Sequence, residues 1–186
     1  MKITKSTLPL IRLLRLGGAH NIVRGIDRII RGLFPLADQI PCVIEVPYHG
    51  RSYAASAHHY VDWHVLTIGS YEHEDLRVFS TLHTHVPHGN ILDIGANVGH
   101  HAYYFATLGW NVWAFEPNPD LWSIIETKLK TAELTSVTLC KFGLGDTDAQ
   151  LAFVVPDGGN SGTGHFTTSQ DTLGTSLPVR RGDDFV

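Results

Sequence analysis

The alternation of apolar and polar residues predicts an amphipathic helix near the start of the chain. From Asn21 to Leu33, apolar residues recur at helical spacing and three arginines fall on the opposite face; the apolar residues are Ile22, Ile26, Ile29, Ile30 and Leu33. Pro35 ends the pattern. Two roles fit such a helix: its apolar face docks on the domain, or it binds a membrane surface or a partner.

The segment that follows predicts a β-hairpin, a third strand and a helix. Cys42–Val46 and Tyr53–Ala55 flank a turn at His49-Gly50. The run from Trp63 to Ile68 is strand-like. Ser70 is expected to cap a helix with acidic residues in its first turn. The buried side of this helix is expected to be Leu76, Phe79 and Leu82.

Beyond residue 90, short apolar runs alternate with helical patterns. Asn118 is expected to cap one of these helices, with Pro119 at its first position. This alternation is typical of a parallel, right-handed α/β sheet. The predicted strands are residues 91–94, 111–115, 137–140 and 151–155.

Charge and pattern together divide the chain into three predicted parts: residues 1–40 as a basic helical arm, 41–89 as hairpin and lead-in helix, and 90–186 as the start of a ligand-binding domain. Residues 1–31 hold seven basic residues and one acidic residue, a net charge of +6, and the remainder carries −10. A body this acidic is not expected to bind nucleic acid.

We expect a cytoplasmic protein without a transmembrane segment. No apolar run is long enough to span a bilayer, and the two cysteines lie far apart, as is usual for thiols in a reducing compartment.

The chemistry is concentrated where two predicted strands end. Asp93, Gly95, Asn97 and Gly99 leave the first strand, and Glu116 ends the next about 20 residues later. Glycine lets the backbone turn sharply and approach a ligand closely, and the following helix start offers free N–H groups. A carboxylate at the end of the neighbouring strand is placed to accept hydrogen bonds from two ribose hydroxyls. We therefore expect a pocket for an adenosine-bearing cofactor.

The loop sequence distinguishes between cofactors of this kind. In the dinucleotide fingerprint G-x-G-x-x-G, Asn97 and His100 occupy the second and third glycine positions, so the fingerprint fails. A diphosphate-binding P-loop also fails, because no GK[ST] follows. S-adenosylmethionine bears an adenosine but no phosphates, so it fits a loop that lacks both of these phosphate-binding patterns.

Four strings of sequence, GSYE, LDIGANVGHHA, VWAFEPNP and FGLGD, together resemble the FkbM-type methyltransferase family between about Gly69 and Gly164. The resemblance implies a Rossmann-like class I methyltransferase fold, here preceded by the amphipathic helix and the hairpin. It implies S-adenosylmethionine as cofactor and O-methylation of a hydroxyl on a sugar or a secondary metabolite.

The same resemblance assigns roles to residues. The methionine and ribose side of the cofactor falls to Asp93, Gly95, Asn97 and Gly99. Glu116 would hold the ribose hydroxyls, and Pro117-Asn118 would shape the adenine edge. Tyr71 and Glu72 would cover the cofactor as a lid. Asp146, after the third strand, contacts adenine or only terminates a strand.

A hydroxyl acceptor would gain from a general base, and His100 and His101 open the helix beside the cofactor loop. Packing or capping roles fit the same two residues. No metal site is expected, because neither histidine cluster is completed by cysteine or carboxylate ligands; the clusters are His58, His59 and His64, and His83, His85 and His88.

The last residues, Arg181–Val186, resemble the segment that precedes a D-x-E-G-x-E strand in the family, and that motif is absent here. We therefore expect the sheet to be incomplete at the C-terminus. Two alternative functions stay open at this point, a non-catalytic remnant of a methyltransferase and a nucleotide-binding oxidoreductase. The sequence indicates neither the acceptor nor the oligomeric state.

Overall fold

The computed structural model describes residues 6–7, 9–10, 26–35, 43–156, 161–167 and 174–185. They belong to two compact units, Met1–Leu76 and Arg77–Val186. Both units mix helices and strands. None of the helices in these ranges is long and apolar enough to cross a membrane.

The first unit contains the predicted hairpin. Strands β1 (Val43–Tyr48) and β2 (Arg51–Ser56) pair antiparallel, with Tyr48 opposite Arg51. His49 and Gly50 link the strands with φ angles of 44° and 79°. Two positive φ angles suit the right-handed twist of a two-residue hairpin. The predicted turn is confirmed.

Helix α1 (Ile26–Leu33) lies within the predicted amphipathic segment, whose residues 21–25 fall outside the described ranges. Ile29 and Leu33, both on its apolar side, are 52% and 44% exposed, so docking of the apolar face is not seen at these two positions. The residue that follows the helix, in contrast, is buried and hydrogen-bonded within the unit. Phe34 is fully buried, and its carbonyl accepts a hydrogen bond from Trp63 Nε1 at 2.8 Å.

The prediction of a strand from Trp63 to Ile68 is wrong, because this run lies in helix α2 (Tyr60–Thr67). Six of its eight residues are buried, so the segment lacks the polar face by which an amphipathic helix is recognised. Asp62 on this helix is also fully buried. Its carboxylate accepts hydrogen bonds from Tyr53 Oη at 2.6 Å and from the Ser56 N–H at 2.8 Å.

The helix predicted after Ser70 exists as α3 (His73–His85), with Leu76 buried as expected. It begins three residues after Ser70, which is therefore not its cap. Phe79 is half-buried against Phe105, with ring centroids 4.7 Å apart. The prediction that Leu82 is buried is wrong, since 46% of it is exposed.

The second unit contains a three-stranded parallel sheet, as the alternating pattern predicts. Its strands are β3 (Asn90–Ile94), β4 (Asn111–Phe115) and β5 (Val137–Cys140), in that spatial order. Helix α4 (His100–Thr107) connects β3 to β4, and α5 (Pro119–Thr131) connects β4 to β5. The predicted cap is confirmed: Asn118 Oδ1 accepts a hydrogen bond from the Asp120 N–H at 3.1 Å.

The fourth predicted strand does not continue this sheet. It is β7 (Ala149–Val154), in a second sheet whose order is β6-β9-β7-β8. β7 runs antiparallel to both of its neighbours. Only eight residues separate β5 from β7, too few for the crossover that a parallel neighbour requires. The other strands are β6 (Gly143–Gly145), β8 (His165–Thr167) and β9 (Thr175–Arg181).

Candidate active site

The loop between β3 and α4 turns back on the end of β4. Gly95, Asn97 and Gly99 have φ angles of 82°, 51° and 73°, in the left-handed region that glycine and asparagine adopt most readily. The N–H groups of Gly95 and Ala96 both donate to the Phe115 carbonyl, at 3.0 and 2.9 Å. These bonds hold the glycine loop against the carboxyl end of β4.

Glu116 is the link between this loop and the start of α5. One carboxylate oxygen accepts the Asn97 N–H at 2.8 Å, and the other accepts the Asn118 N–H at 2.8 Å. The residue is only 5% exposed. Because an ionised carboxylate offers about four acceptor positions, two remain for a ligand.

Two carboxyl groups lie at this edge of the sheet, and burial raises the pKa of both. The pKa of Glu116 is raised by burial and further by the Asp93 charge, while its two backbone hydrogen bonds lower it. The pKa of Asp93 is raised by burial, against smaller lowering effects of His101 and of a hydrogen bond from the Ala102 backbone. The site therefore keeps two acidic groups in poorly solvated surroundings.

Helix α5 packs against the glycine loop and donates a hydrogen bond to the main chain of Glu116. Lys128 is fully buried, and its Nζ donates to the Val98 carbonyl at 2.6 Å. A Cβ on Gly99 would lie 3.1 Å from Ile125 Cγ2, so the glycine loop packs closely on this helix. Trp122 Nε1 donates to the Glu116 carbonyl at 2.7 Å.

A cavity of about 240 Å³ opens beside Glu116. Four residues predicted for the cofactor line it, namely Gly95, Asn97, Glu116 and Pro117. Sequence reasoning missed most of the remaining wall, which comes from β6, β7 and the segment around β8. That wall includes Gly143, Leu144, Phe153, Gly164, His165 and Phe166. The FGLGD string pointed to this part of the wall, through Gly143 and Leu144.

The other predicted residues of the second unit do not line the cavity. Asp93 is the last but one residue of β3, Gly99 precedes α4 as its N-cap, and Asn118 caps α5. His100 is 2% exposed and His101 is half-buried, with their ring centroids 5.2 Å apart.

Asp146, whose role the sequence left open, is exposed and does not line the cavity. Its Oδ1 accepts a hydrogen bond from Thr147 Oγ1 at 3.2 Å.

The described residues contain no group of three histidine, cysteine, aspartate or glutamate side chains that could hold a metal ion.

Tyr71 and Glu72 belong to the first unit. The Tyr71 ring lies edge-on to His64 and Tyr60, with centroids 5.6 and 6.2 Å away. Burial, helped by a hydrogen bond to Glu72 and its charge, raises the pKa of Tyr71 to about 12. Their role as a lid stays a prediction.

A family model matches part of the chain. No curated protein sequence matches the chain. Residues 93–185 match the methyltransferase FkbM domain, and this range contains the glycine loop, Glu116 and every cavity-lining residue named above. The match covers half of the chain, and the chain therefore belongs to the FkbM methyltransferase domain family.

Proposed function

We propose that this protein is an S-adenosylmethionine-dependent methyltransferase with a Rossmann-like class I fold. The proposed reaction is O-methylation of a hydroxyl group on a sugar or a secondary metabolite. The observation that carries the proposal is the position of Glu116, a buried carboxylate at the end of β4 that is bonded to the glycine loop. The family match supports the reaction class.

The donors and acceptors of the site suit the ribose of this cofactor. Each Glu116 oxygen already accepts one backbone N–H and keeps capacity for one more hydrogen bond. Two such positions on one carboxylate match the two adjacent hydroxyls of a ribose. Glu116 would therefore hold the ribose, and Asn97 and Gly95 would lie beside it on the cavity wall.

A second acidic group suits the amino-acid end of the cofactor. Asp93 Oδ2 is buried and has no hydrogen-bond partner among the residues that the structure describes. A buried carboxylate oxygen without a partner is costly, and a ligand ammonium group would satisfy it with a charge-assisted hydrogen bond. We therefore assign Asp93 to the ammonium group, and Gly99 to the close packing that fixes the loop beside it.

The apolar part of the cavity wall would take the base, with Pro117 among the lining residues and Asn118 capping the start of α5. A volume of about 240 Å³ is less than the ~300–1,000 Å³ of pockets that enclose a complete drug-sized ligand. It suits the nucleoside half of the cofactor.

When bound, S-adenosylmethionine would supply a methyl group on a positively charged sulfur, and an acceptor oxygen would attack the methyl carbon in line, forming the carbon–oxygen bond as the carbon–sulfur bond breaks. The contribution of the protein is then to orient the two reactants, which can lower a barrier by ~7–11 kcal/mol. Of the two histidines, His101 is the better candidate for a base that takes the acceptor proton, because His100 is almost completely buried.

We place this activity in the cytoplasm, since Cys140 is a buried free thiol, which suits a reducing compartment. The partner is a small-molecule or glycan hydroxyl acceptor. Contact of the segment 8–33 with a membrane surface is part of the same proposal, supported by the exposed side chains of Ile29 and Leu33.

Calorimetric titration of S-adenosylmethionine and of S-adenosylhomocysteine into the 186-residue chain tests the proposal. We expect micromolar binding of both, and at least tenfold weaker binding by Glu116→Ala because the ribose loses its acceptor. Glu126→Ala is the matched control, since that carboxylate is on the surface of α5. Thermal melts of both variants separate lost binding from lost folding.

Each other outcome of this titration contradicts part of the proposal. Unchanged affinity of a folded Glu116→Ala would remove the site assignment. If the wild-type chain bound neither compound, the cofactor assignment would be wrong. Saturable binding of NADH in their place would favour an oxidoreductase.

A further inference from the structure

An aromatic pair lines part of the cavity. Strands β7 and β8 run antiparallel and place Phe153 directly opposite Phe166. The two rings meet edge to face, with centroids 5.2 Å apart and an interplanar angle of 68°. Both rings line the cavity. Strands β7 and β8 therefore give the cavity an aromatic wall, in addition to its polar lining residues Asn97, Glu116 and His165.

Two glycines make room for these rings. A Cβ on Gly143 would lie 2.3 Å from Phe166 Cε2, and a Cβ on Gly164 would lie 2.4 Å from Phe153 Cζ. Both distances are far shorter than a carbon–carbon contact of ~3.5–4.0 Å. Neither glycine has a positive φ angle, so space and not backbone conformation requires glycine at these two positions. Any larger residue would push an aromatic ring out of place.

This arrangement fits a ligand that joins a planar ring to a polyol. Bases stack on aromatic side chains with sequence-tolerant affinity, whereas hydroxyl groups need acceptors such as the Glu116 carboxylate. Because the rings of Phe153 and Phe166 are fixed against glycine backbone, they cannot recede to admit a larger base without a cost in packing.

We propose that Phe153 and Phe166 set the size of the base-binding half of this cavity, and that Gly143 and Gly164 position the two rings. These four residues then determine which nucleosides the protein accepts: a purine nucleoside with an unsubstituted base is accepted, and one with a bulky substituent on the base is rejected. The inference rests on the proposed function insofar as the nucleoside is that of S-adenosylmethionine.

The experiment measures dissociation constants for adenosine, for S-adenosylhomocysteine, and for adenosines that carry a benzyl group on N6 or a phenyl group on C8. Phe166→Ala should bind adenosine about tenfold more weakly, because a stacking surface is lost. It should also bind at least one bulky adenosine more tightly than the wild-type chain does. A destabilised protein would not gain affinity, so this gain separates specificity from folding.

Three further variants complete the test. Gly143→Ala should weaken adenosine binding severalfold, because its methyl group displaces the Phe166 ring. Gly89→Ala is the matched control, since a Cβ there meets only Val86 at 3.8 Å. Phe79→Leu is the aromatic control, a half-buried ring outside the cavity.

The outcomes distinguish this inference from the proposed function. If wild type binds S-adenosylhomocysteine and Phe166→Ala neither loses adenosine nor gains a bulky analogue, the inference is overturned and the proposed function stands. If the variants behave as expected with adenosine but the chain binds neither S-adenosylmethionine nor S-adenosylhomocysteine, the inference stands and the cofactor assignment falls. A wild-type chain that binds no nucleoside overturns both.

Discussion

Asp93 serves the proposed site at a cost to the stability of the folded protein. Its Oδ2 is buried without a hydrogen-bond partner among the described residues, and burial raises its pKa. A group whose pKa is raised by folding stabilises the folded state fully below its ordinary pKa. This contribution is lost as the pH rises through the folded value, so an ionisable carboxyl group at this buried position costs stability at neutral pH.

Asp93→Asn is therefore expected to raise the melting temperature at pH 7, by roughly 2–4 °C for each kcal/mol recovered in a chain of this size. The gain should disappear as the pH falls below the ordinary aspartate pKa of about 3.9, where the wild-type carboxyl is protonated in both states. Thermal melts between pH 3 and pH 8 check this, with Asp146→Asn as the exposed control. Equal melting temperatures at pH 7 would contradict the argument, and so would a gain that persists in acid.

At the scale of elements, α5 fixes the shape of the glycine loop through Lys128. The Lys128 ammonium group lies inside the protein and donates to the Val98 carbonyl in the middle of the loop. Val98 itself is 1% exposed, so no water can replace this donor without a rearrangement. Helix α5 thus holds the glycine loop that follows β3.

Lys128→Met keeps most of the buried stem and removes the donor. We expect it to lower the free energy of unfolding by about 1–3 kcal/mol, the usual cost of leaving a buried acceptor unsatisfied. Cofactor binding should weaken as well, because the loop loses a support. Chemical denaturation measures the first effect, and Lys130→Met, on the exposed side of the same helix, is the control. A variant as stable as that control would show that Lys128 does not hold the loop.

Some elements could be predicted from sequence and others could not, for physical reasons. The β3–α4–β4–α5 segment is local, with glycines, a capping Asn118 and a Pro119 at the required positions. Helix α2 was missed because it is apolar on nearly all sides. The Phe153–Phe166 wall depends on which strands pair across the second sheet, and pairing between distant segments leaves no local pattern.

At the scale of the whole molecule, the predicted site residues are divided between the two units. Tyr71 and Glu72 lie in the first unit, and the residues from Asp93 to Asn118 lie in the second. The helix α3 begins in one unit and ends in the other. The lid prediction can therefore be tested separately from the cavity.

Hydrogen exchange with and without S-adenosylhomocysteine makes this test. We expect slower exchange of the backbone amides at 95–99 and of those of Glu116 and Asn118, because a ligand bound there stabilises the glycine loop and the start of α5. If Tyr71 and Glu72 form a lid, the amides near residues 71–72 should slow as well. Protection confined to residues 77–186 would contradict the lid and leave the cavity assignment intact.

The hydrogen bond from Trp122 to the main chain of Glu116 has an optical consequence. The indole is half-buried, bonded at 2.7 Å to the residue proposed to hold the ribose, with the Lys141 ammonium group 5.0 Å from its ring centre. Indole emission responds to nearby charge and to hydration. One of the four tryptophans is therefore bonded to a residue of the cavity wall, and its emission is expected to change when the cavity is occupied, without any added label.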